Sequence, residues 1–295
     1  MGGLILGGSF VVSVLLFLLA AYLFKVFRRR GRKRSPLQGK KLANLPGQQL
    51  AKRIGDHSDE MLLSFVVAYF SMPLMLGAWA MARVRWESVR FEIFEGMFAA
   101  TAAALFLSGL ARFFKHAKAR VRAEDGLIAE QMTGQHLNRL IGPNCIVAHD
   151  LPCEGFNIDH VVIGPRAVYA VETKSFRKHQ ASEDDSHYKV TYDGTALQFP
   201  GWRETDALAQ AKRQAQWLAR YLRESLARDV PVLPAVALPG WYIIDTLNAR
   251  NAEVRVFTPM GRGAQILLAG NEVLDGETRA LVAQAIAQRY PNVEG

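Results

Sequence analysis

Residues 157–174 constrain the fold of this chain more tightly than any other stretch. They form two runs rich in β-branched residues, joined by a Gly-Pro-Arg-Ala turn at 164–167, which predicts an antiparallel hairpin. With a two-residue loop, Asp159 lies directly opposite Glu172, and opposed residues point to the same face of a sheet. Lys174 follows two positions later and shares that face. The sequence therefore predicts that two carboxylates and one ammonium group converge.

Two opposed carboxylates need a compensating group. At about 4 Å and an effective dielectric constant near 20, their repulsion is on the order of 4 kcal/mol. A salt bridge to Lys174, a raised carboxyl pKa or a bound divalent cation would each offset it. Oxygen ligands suit Mg²⁺ or Mn²⁺, and such an ion polarises a phosphoryl group and activates water. The spacing alone leaves a metal centre and an ordinary salt bridge equally open, because it often occurs by chance.

A family resemblance bears on this choice. The segments Asn-Ile-Asp-His-Val-Val-Ile-Gly-Pro at 157–165 and Val-Tyr-Ala-Val-Glu-Thr-Lys at 168–174 resemble the core of the nuclease-related (NERD) domain family. That family is regarded as a branch of the PD-(D/E)xK nuclease-like fold. The resemblance extends over about residues 120–260 and is most specific in this central hairpin.

Two flanking helices carry a weaker resemblance to the same family. Residues 126–137 resemble its opening helix, with Ala129 and Thr133 in place of the usual Gly and Val. Downstream, residues 206–218 resemble its Asn-Pro-Leu-x-Gln helix, although Asp206-Ala207 replaces the Asn-Pro pair.

The resemblance implies an α/β (α+β) fold, in which helices flank a central mixed β-sheet. It implies that Asp159 and Glu172 bind Mg²⁺ or Mn²⁺ and that Lys174 positions or activates the hydrolytic water. It adds Glu130, as a ligand or as an orienting group beside Lys174, and Gln210, which could bind a phosphate or water. Judged without the family, Glu130 and Gln210 would be ordinary surface residues.

The distribution of charge points to a membrane rather than to a basic nucleic-acid surface. The net charge is +9, and residues 1–114 hold 15 Lys and Arg against 6 Asp and Glu, whereas residues 115–295 hold 21 of each. The part that resembles a nuclease is therefore neutral overall. Two cysteines without metal-ligand spacing predict reduced thiols rather than disulfides or zinc.

Three apolar runs predict three transmembrane helices before the nuclease-like part. Residues 1–27 are almost wholly apolar and exceed the roughly 20 residues that a span requires. A cleaved signal peptide fits poorly, because the basic cluster follows the run instead of preceding it. Further runs at 61–82 and 96–111 predict a helical hairpin over 61–114, for which a soluble helical pair is the alternative.

Basic flanking residues predict the orientation of these helices. The loop at 28–60 holds ten Lys and Arg, and five more follow the third run between residues 112 and 122. Such an excess marks the cytoplasmic side, although the basic loop could also bind nucleic acid. We therefore expect a multi-pass protein of a membrane such as the bacterial inner membrane, with its N-terminus outside, its C-terminal domain in the cytoplasm and the lipid bilayer as a partner.

The soluble part alternates between helical and strand-like segments. Helices are predicted at 123–141, 206–226 and 278–290, with strands beginning at Cys145, near residue 232 and near residue 253. An Asp-Gly turn predicts a further hairpin at 188–199, extending the sheet or lying over its edge. We expect a NERD-like domain at 120–260, with 261–295 as its C-terminal helical extension.

Two functions follow from these patterns. The first is a Mg²⁺-dependent nuclease that hydrolyses phosphodiester bonds of DNA or RNA on the cytoplasmic side of the membrane. The second is a non-catalytic module, tethered to the membrane, that keeps the nuclease-like fold to bind nucleic acid or a protein. The neutral charge of residues 115–295 favours the second, since duplex binding rests mainly on Lys and Arg. No nucleotide cofactor is expected, because the chain has no GxxxxGK[ST] phosphate loop.

Overall fold

The computed structural model describes residues 45–82, 93–178 and 188–290. The chain divides into two compact units, the first comprising Met1–Lys40 and Gly55–Arg120 and the second Lys41–Ile54 and Val121–Gly295. The helices are α1 (Gln48–Ala82), α2 (Ile93–Asn138), α3 (Asp206–Leu226) and α4 (Gly276–Ala287). The predicted first membrane span at 1–27 lies outside the described residues.

In the first unit, α1 and α2 approach each other closely at a small residue. A Cβ atom added at Gly109 would lie 3.0 Å from the Cβ of Ala68 and 3.2 Å from the carbonyl oxygen of Ser64. Many large apolar side chains of this unit are nevertheless exposed, among them Leu62, Leu63, Phe65, Tyr69, Met97, Leu107 and Phe114. Among the residues whose backbone and side chains are both described, no helix is long and apolar enough to cross a membrane.

The course of α1 and α2 differs from the prediction. Helix α1 already begins at Gln48, so the last part of the predicted basic loop is helical. Helix α2 is one continuous element from Ile93 to Asn138, where the sequence suggested an apolar helix followed by a separate helix at 123–141. The reason is that residues 112–125 contain neither Gly nor Pro and are rich in Ala, Lys and Arg, which favour helix propagation.

The main sheet lies in the second unit and has five strands in the order β1-β2-β3-β7-β9. Its strands are β1 (Ile146–Pro152), β2 (Asn157–Ile163), β3 (Val168–Thr173), β7 (Val232–Ala237) and β9 (Arg255–Phe257). The first three are antiparallel, whereas β7 and β9 run parallel to β3. This mixed sheet flanked by helices confirms the predicted α/β architecture for the second unit.

The register of the β2–β3 hairpin is the predicted one. His160 pairs with Val171, and the ladder continues in step to the turn, where the Gly164 N–H donates to the Ala167 carbonyl at 3.0 Å. Continued in the opposite direction, the same register sets Asp159 opposite Glu172.

A second, smaller sheet is an addition to the prediction. It has the order β6-β5-β4-β8 and contains β4 (Lys189–Tyr192), β5 (Leu197–Phe199), β6 (Trp202–Glu204) and β8 (Tyr242–Asp245). The predicted hairpin at 188–199 thus belongs to this sheet instead of extending the main one. The first strand of this hairpin, β4, pairs with β8. Strand β8 was not predicted, because it is short and largely exposed. Trp202 pairs with Phe199 and stacks on it, with ring centroids 4.0 Å apart.

Helices cover both faces of the main sheet. Helices α3 and α4 bury one face through residues such as Leu218, Leu222, Val282 and Ile286. Leu137 of α2 and the short 3-10 helix Gly263–Leu268 pack on the other face. The bounds of α3 match the prediction, whereas α4 begins two residues early, because the Asp275 side chain caps it by accepting from the Thr278 N–H at 2.8 Å.

Candidate active site

The predicted convergence of charged groups is present at the end of the β2–β3 hairpin. The Lys174 ammonium lies 2.6 Å from Oε1 of Glu172, whose side chain is almost completely buried. The same ammonium donates to the Gln210 amide oxygen at 2.9 Å, which places α3 at the centre. Lys174, Glu172 and Gln210 therefore form one connected network, as expected from the positions that resemble the family motif.

Gln214 belongs to this network although the prediction did not include it. Its Nε2 donates to Oε2 of Glu172 at 2.6 Å and to the main-chain carbonyl of Asn157 at 3.3 Å. The available signal was its spacing, because residues four apart lie on the same face of a helix and Gln214 follows Gln210 by one turn. Burial of the Gln214 side chain could not be inferred from that spacing alone.

Asp159 lies beside the network and is held by the backbone. The Thr173 N–H donates to Oδ2 of Asp159 at 2.7 Å, which fixes the carboxylate against β3. Part of the residue reaches solvent, but dense surrounding protein raises the pKa of Asp159 well above its usual value, with the negative charges of Glu172 and Glu130 adding to the effect. The Thr173 bond and Lys174 oppose this rise only partly.

Glu130 joins the site electrostatically. The pKa of Glu130 is raised to about 7, chiefly by burial and then by the negative charges of Asp150 and Glu172. The positive charges of Arg53 and Lys174 lower it in part. Within the described part of the chain, no hydrogen bond joins Glu130 to Lys174. Glu130 is linked to the centre by charge, and its role as a ligand or orienting group stays a prediction.

The centre contains the donor atoms that a hard divalent cation requires. Asp159 and Glu172 supply carboxylate oxygens, and the buried Oε1 of Gln214, whose Nε2 donates to Glu172, has no hydrogen-bond partner among the described residues. Mg²⁺ and Mn²⁺ prefer such oxygen ligands and retain several waters. Among the described residues, no group of three or more His, Cys, Asp or Glu side chains could hold a metal ion. A cation here would thus depend on two carboxylates, an amide oxygen and water.

The chain continues after Lys174 into a basic segment, Arg177-Lys178-His179, whose first residue is neutralised by an acidic partner. Arg177 binds Asp125 through two nitrogens, at 2.6 and 2.5 Å, so it has an acidic partner in place of a phosphate. His179 lies outside the described residues.

His160 points away from the carboxylates, as strand alternation predicts. It pairs across the strands with His149, and their Nδ1 atoms lie 2.9 Å apart. Burial lowers the pKa of His149 to about 4 and that of His160 well below its usual value, so both rings are neutral near pH 7. His160 is therefore buried and hydrogen-bonded to His149.

Comparison with known proteins supports the nuclease-like character of this region. The family model described as the nuclease-related domain, NERD, matches residues 125–239, a range that includes all the residues of the network. Neither a curated protein nor a solved structure matches the chain. Families of this kind generally use divalent metals, in keeping with the oxygen donors of the site. The chain therefore contains a nuclease-related (NERD) domain at residues 125–239.

Proposed function

We propose that this protein is a membrane-anchored, Mg²⁺- or Mn²⁺-dependent nuclease that hydrolyses phosphodiester bonds of DNA or RNA. The observation that carries the proposal is the network around Lys174. Its ammonium bridges Glu172 and Gln210 within a nuclease-related domain, and Asp159 lies at the same end of the hairpin.

Each residue has a chemical role in this proposal. Asp159 and Glu172 would hold the cation, which would supply Lewis acidity to a phosphoryl oxygen and to water. Lys174, fixed by two acceptors, directs its remaining N–H donor at the attacking water or at a phosphate oxygen. Gln210 and Gln214 keep Lys174 and Glu172 in place. Glu130, whose pKa is about 7, can accept or return a proton near neutral pH through its carboxyl group.

A cleavage assay tests this function. Purified full-length protein is incubated with fluorescent single-stranded and duplex oligonucleotides in millimolar Mg²⁺ or Mn²⁺, with and without EDTA. We expect metal-dependent cleavage that falls by at least about 100-fold in Asp159→Asn and Lys174→Met. Lys212→Met is the matched control, because Lys212 lies on α3 but pairs with Glu253 at 2.7 Å. Undiminished cleavage in both site variants would refute the mechanism.

One observation favours the alternative of a non-catalytic binding module. Both carboxylate oxygens of Glu172 already accept hydrogen bonds, from Lys174 and Gln214. A domain that had lost its cation could be stabilised in this way and could still bind nucleic acid or a protein. Binding of oligonucleotides without cleavage in either metal would support this module over the nuclease.

The membrane anchor rests on the apolar segments 1–27 and 61–114. The exposed apolar side chains of the first unit support it, since large apolar surfaces mark contacts with membranes or proteins. The proposal places the N-terminus outside and the nuclease-related domain in the cytoplasm. We expect the protein to stay in the membrane fraction after carbonate washing, with the domain digested by protease only in inverted vesicles. Release by carbonate would contradict the anchor.

A further inference from the structure

A cleft along α3 opens directly beside the carboxylate centre. This α3 cleft has a volume of 490 Å³, and Phe156, Gln210, Arg213, Gln214, Trp217 and Arg220 are among its lining residues. Its size is in the range of pockets that hold small organic groups. We propose that the α3 cleft binds single-stranded nucleic acid, with phosphates at Arg213 and Arg220 and an unpaired base on Phe156. The inference deepens the proposed nuclease function and rests on it for the identity of the polymer.

Two glutamines connect the α3 cleft to the reacting groups. Gln210 lines the cleft and accepts from Lys174, while Gln214 lines it and donates to Glu172. A chain that occupies the cleft therefore lies one side chain away from the ammonium and the carboxylate. This continuity places the next phosphate of a bound strand at the centre.

Two arginines give the α3 cleft a local positive charge within a neutral part of the chain. Arg213 and Arg220 are exposed and, within the part of the chain that the structure describes, have no acidic or hydrogen-bond partner. Arg223 on the same helix, by contrast, pairs with Asp229 at 2.5 Å. Arg220 follows Arg213 by seven positions on α3, which corresponds to two helical turns, or roughly 10 Å along the helix. Two cations at this separation suit a short stretch of one strand better than a duplex, whose binding needs many phosphate contacts.

An aromatic wall supplies the second type of contact that single strands require. Phe156 is 37% exposed and meets Trp217 edge-on, with ring centroids 5.7 Å apart. The Trp217 ring already has the Arg289 guanidinium 5.4 Å from its centroid and stacks on Tyr221 at 5.5 Å. Phe156 is therefore the ring available to a ligand. Stacking on it requires a base that is not paired, which selects single-stranded over double-stranded substrates.

The test measures binding without cleavage. Fluorescence anisotropy of labelled single-stranded DNA, single-stranded RNA and duplex DNA is followed with the full-length protein in EDTA, over a series of salt concentrations. The variants are Phe156→Ala, Arg213→Gln and Arg220→Gln, with Arg223→Gln and the exposed Tyr242→Ala as controls. The basic N-terminal third is the same in every variant and in the wild type. Its contribution to binding therefore cancels when each variant is compared with the wild type. Polyglutamate and vesicles of anionic lipid are the competing probes.

We expect each of the two arginine variants to reduce the slope of log K against log salt by about 0.7 for single strands. Phe156→Ala weakens single-strand binding by about 5- to 150-fold, the loss measured when a stacking ring is removed, and leaves the slope unchanged. Arg223→Gln and Tyr242→Ala bind like the wild type. These results support the proposal for DNA, for RNA or for both, according to the probe that responds.

Three outcomes would overturn the inference. One is unchanged binding in all three cleft variants, and another is an equal loss of duplex binding in Phe156→Ala. The third is that the binding of polyglutamate or of anionic vesicles depends on the same residues as strongly as the binding of oligonucleotides does. The proposed nuclease function can fail separately. If the cleft variants weaken binding but the wild type cleaves nothing, the nuclease function is refuted and the cleft inference stands. If the wild type cleaves but the cleft variants bind normally, the cleft inference is refuted and the nuclease function stands.

Discussion

Replacement of Gln214 by Met tests the one residue of the network that the sequence did not predict. Met has a similar size but cannot donate, so Gln214→Met removes the 2.6 Å bond to Glu172 and the 3.3 Å bond to the Asn157 carbonyl. A hydrogen bond to a charged group contributes about 1.5–3 kcal/mol. The Glu172 side chain is 5% exposed, so water cannot readily replace the lost donor. We therefore expect the free energy of unfolding to fall by about 2–3 kcal/mol.

Urea unfolding followed by tryptophan fluorescence measures this loss. With an m-value of about 2 kcal/mol/M, the midpoint should move down by about 1 M. Gln216→Met is the matched control, because Gln216 is exposed on the same helix and surface changes usually stay within about 0.5 kcal/mol. The reasoning is refuted if Gln214→Met is no more destabilising than this control.

Three further predictions concern pH and packing. Metal-supported cleavage should rise as pH increases through about 7, where Glu130 loses its proton, and the pH–rate profile of Glu130→Gln should lack that step. The folded state should lose up to about 3 kcal/mol of stability as pH falls from 6.5 towards 4. The reason is that burial lowers the pKa of His149 to about 4 in the folded state, so over this range only the unfolded chain takes up a proton at His149. The urea midpoint of His149→Gln should fall less over the same pH range. Arg279→Met should lower the free energy of unfolding by about 2 kcal/mol in the same assay, since the buried guanidinium donates to the Leu274 carbonyl and to Asn144, whereas Arg223→Met should change it little.

The central hairpin could be predicted because its determinants are local. The turn at 164–167 fixes the register, and alternation then decides which side chains share a face. This logic placed Glu172 and Lys174 together, and the same alternation turns His160 to the opposite face. The bounds of α3 could be predicted equally well, since its apolar residues recur with helical spacing over 21 residues.

Other parts depend on contacts between distant segments. Strand β8 is short and largely exposed, so its partner β4 could not be assigned to a second sheet from periodicity. The participation of Arg53, which acts on the pKa of Glu130 from a segment more than 70 residues earlier in the chain, had no local signature. The α3 cleft likewise requires Phe156 to meet Trp217 across the fold.

The central claim is that Asp159 and Glu172 share a divalent cation beside Lys174. Isothermal titration of Mn²⁺ into the purified full-length protein, without nucleic acid, tests it most directly. We predict binding with a dissociation constant below the millimolar range in the wild type and in Lys212→Met, and its loss in Asp159→Asn. The absence of any binding by the wild type at millimolar Mn²⁺, or equal binding by Asp159→Asn, would contradict the claim.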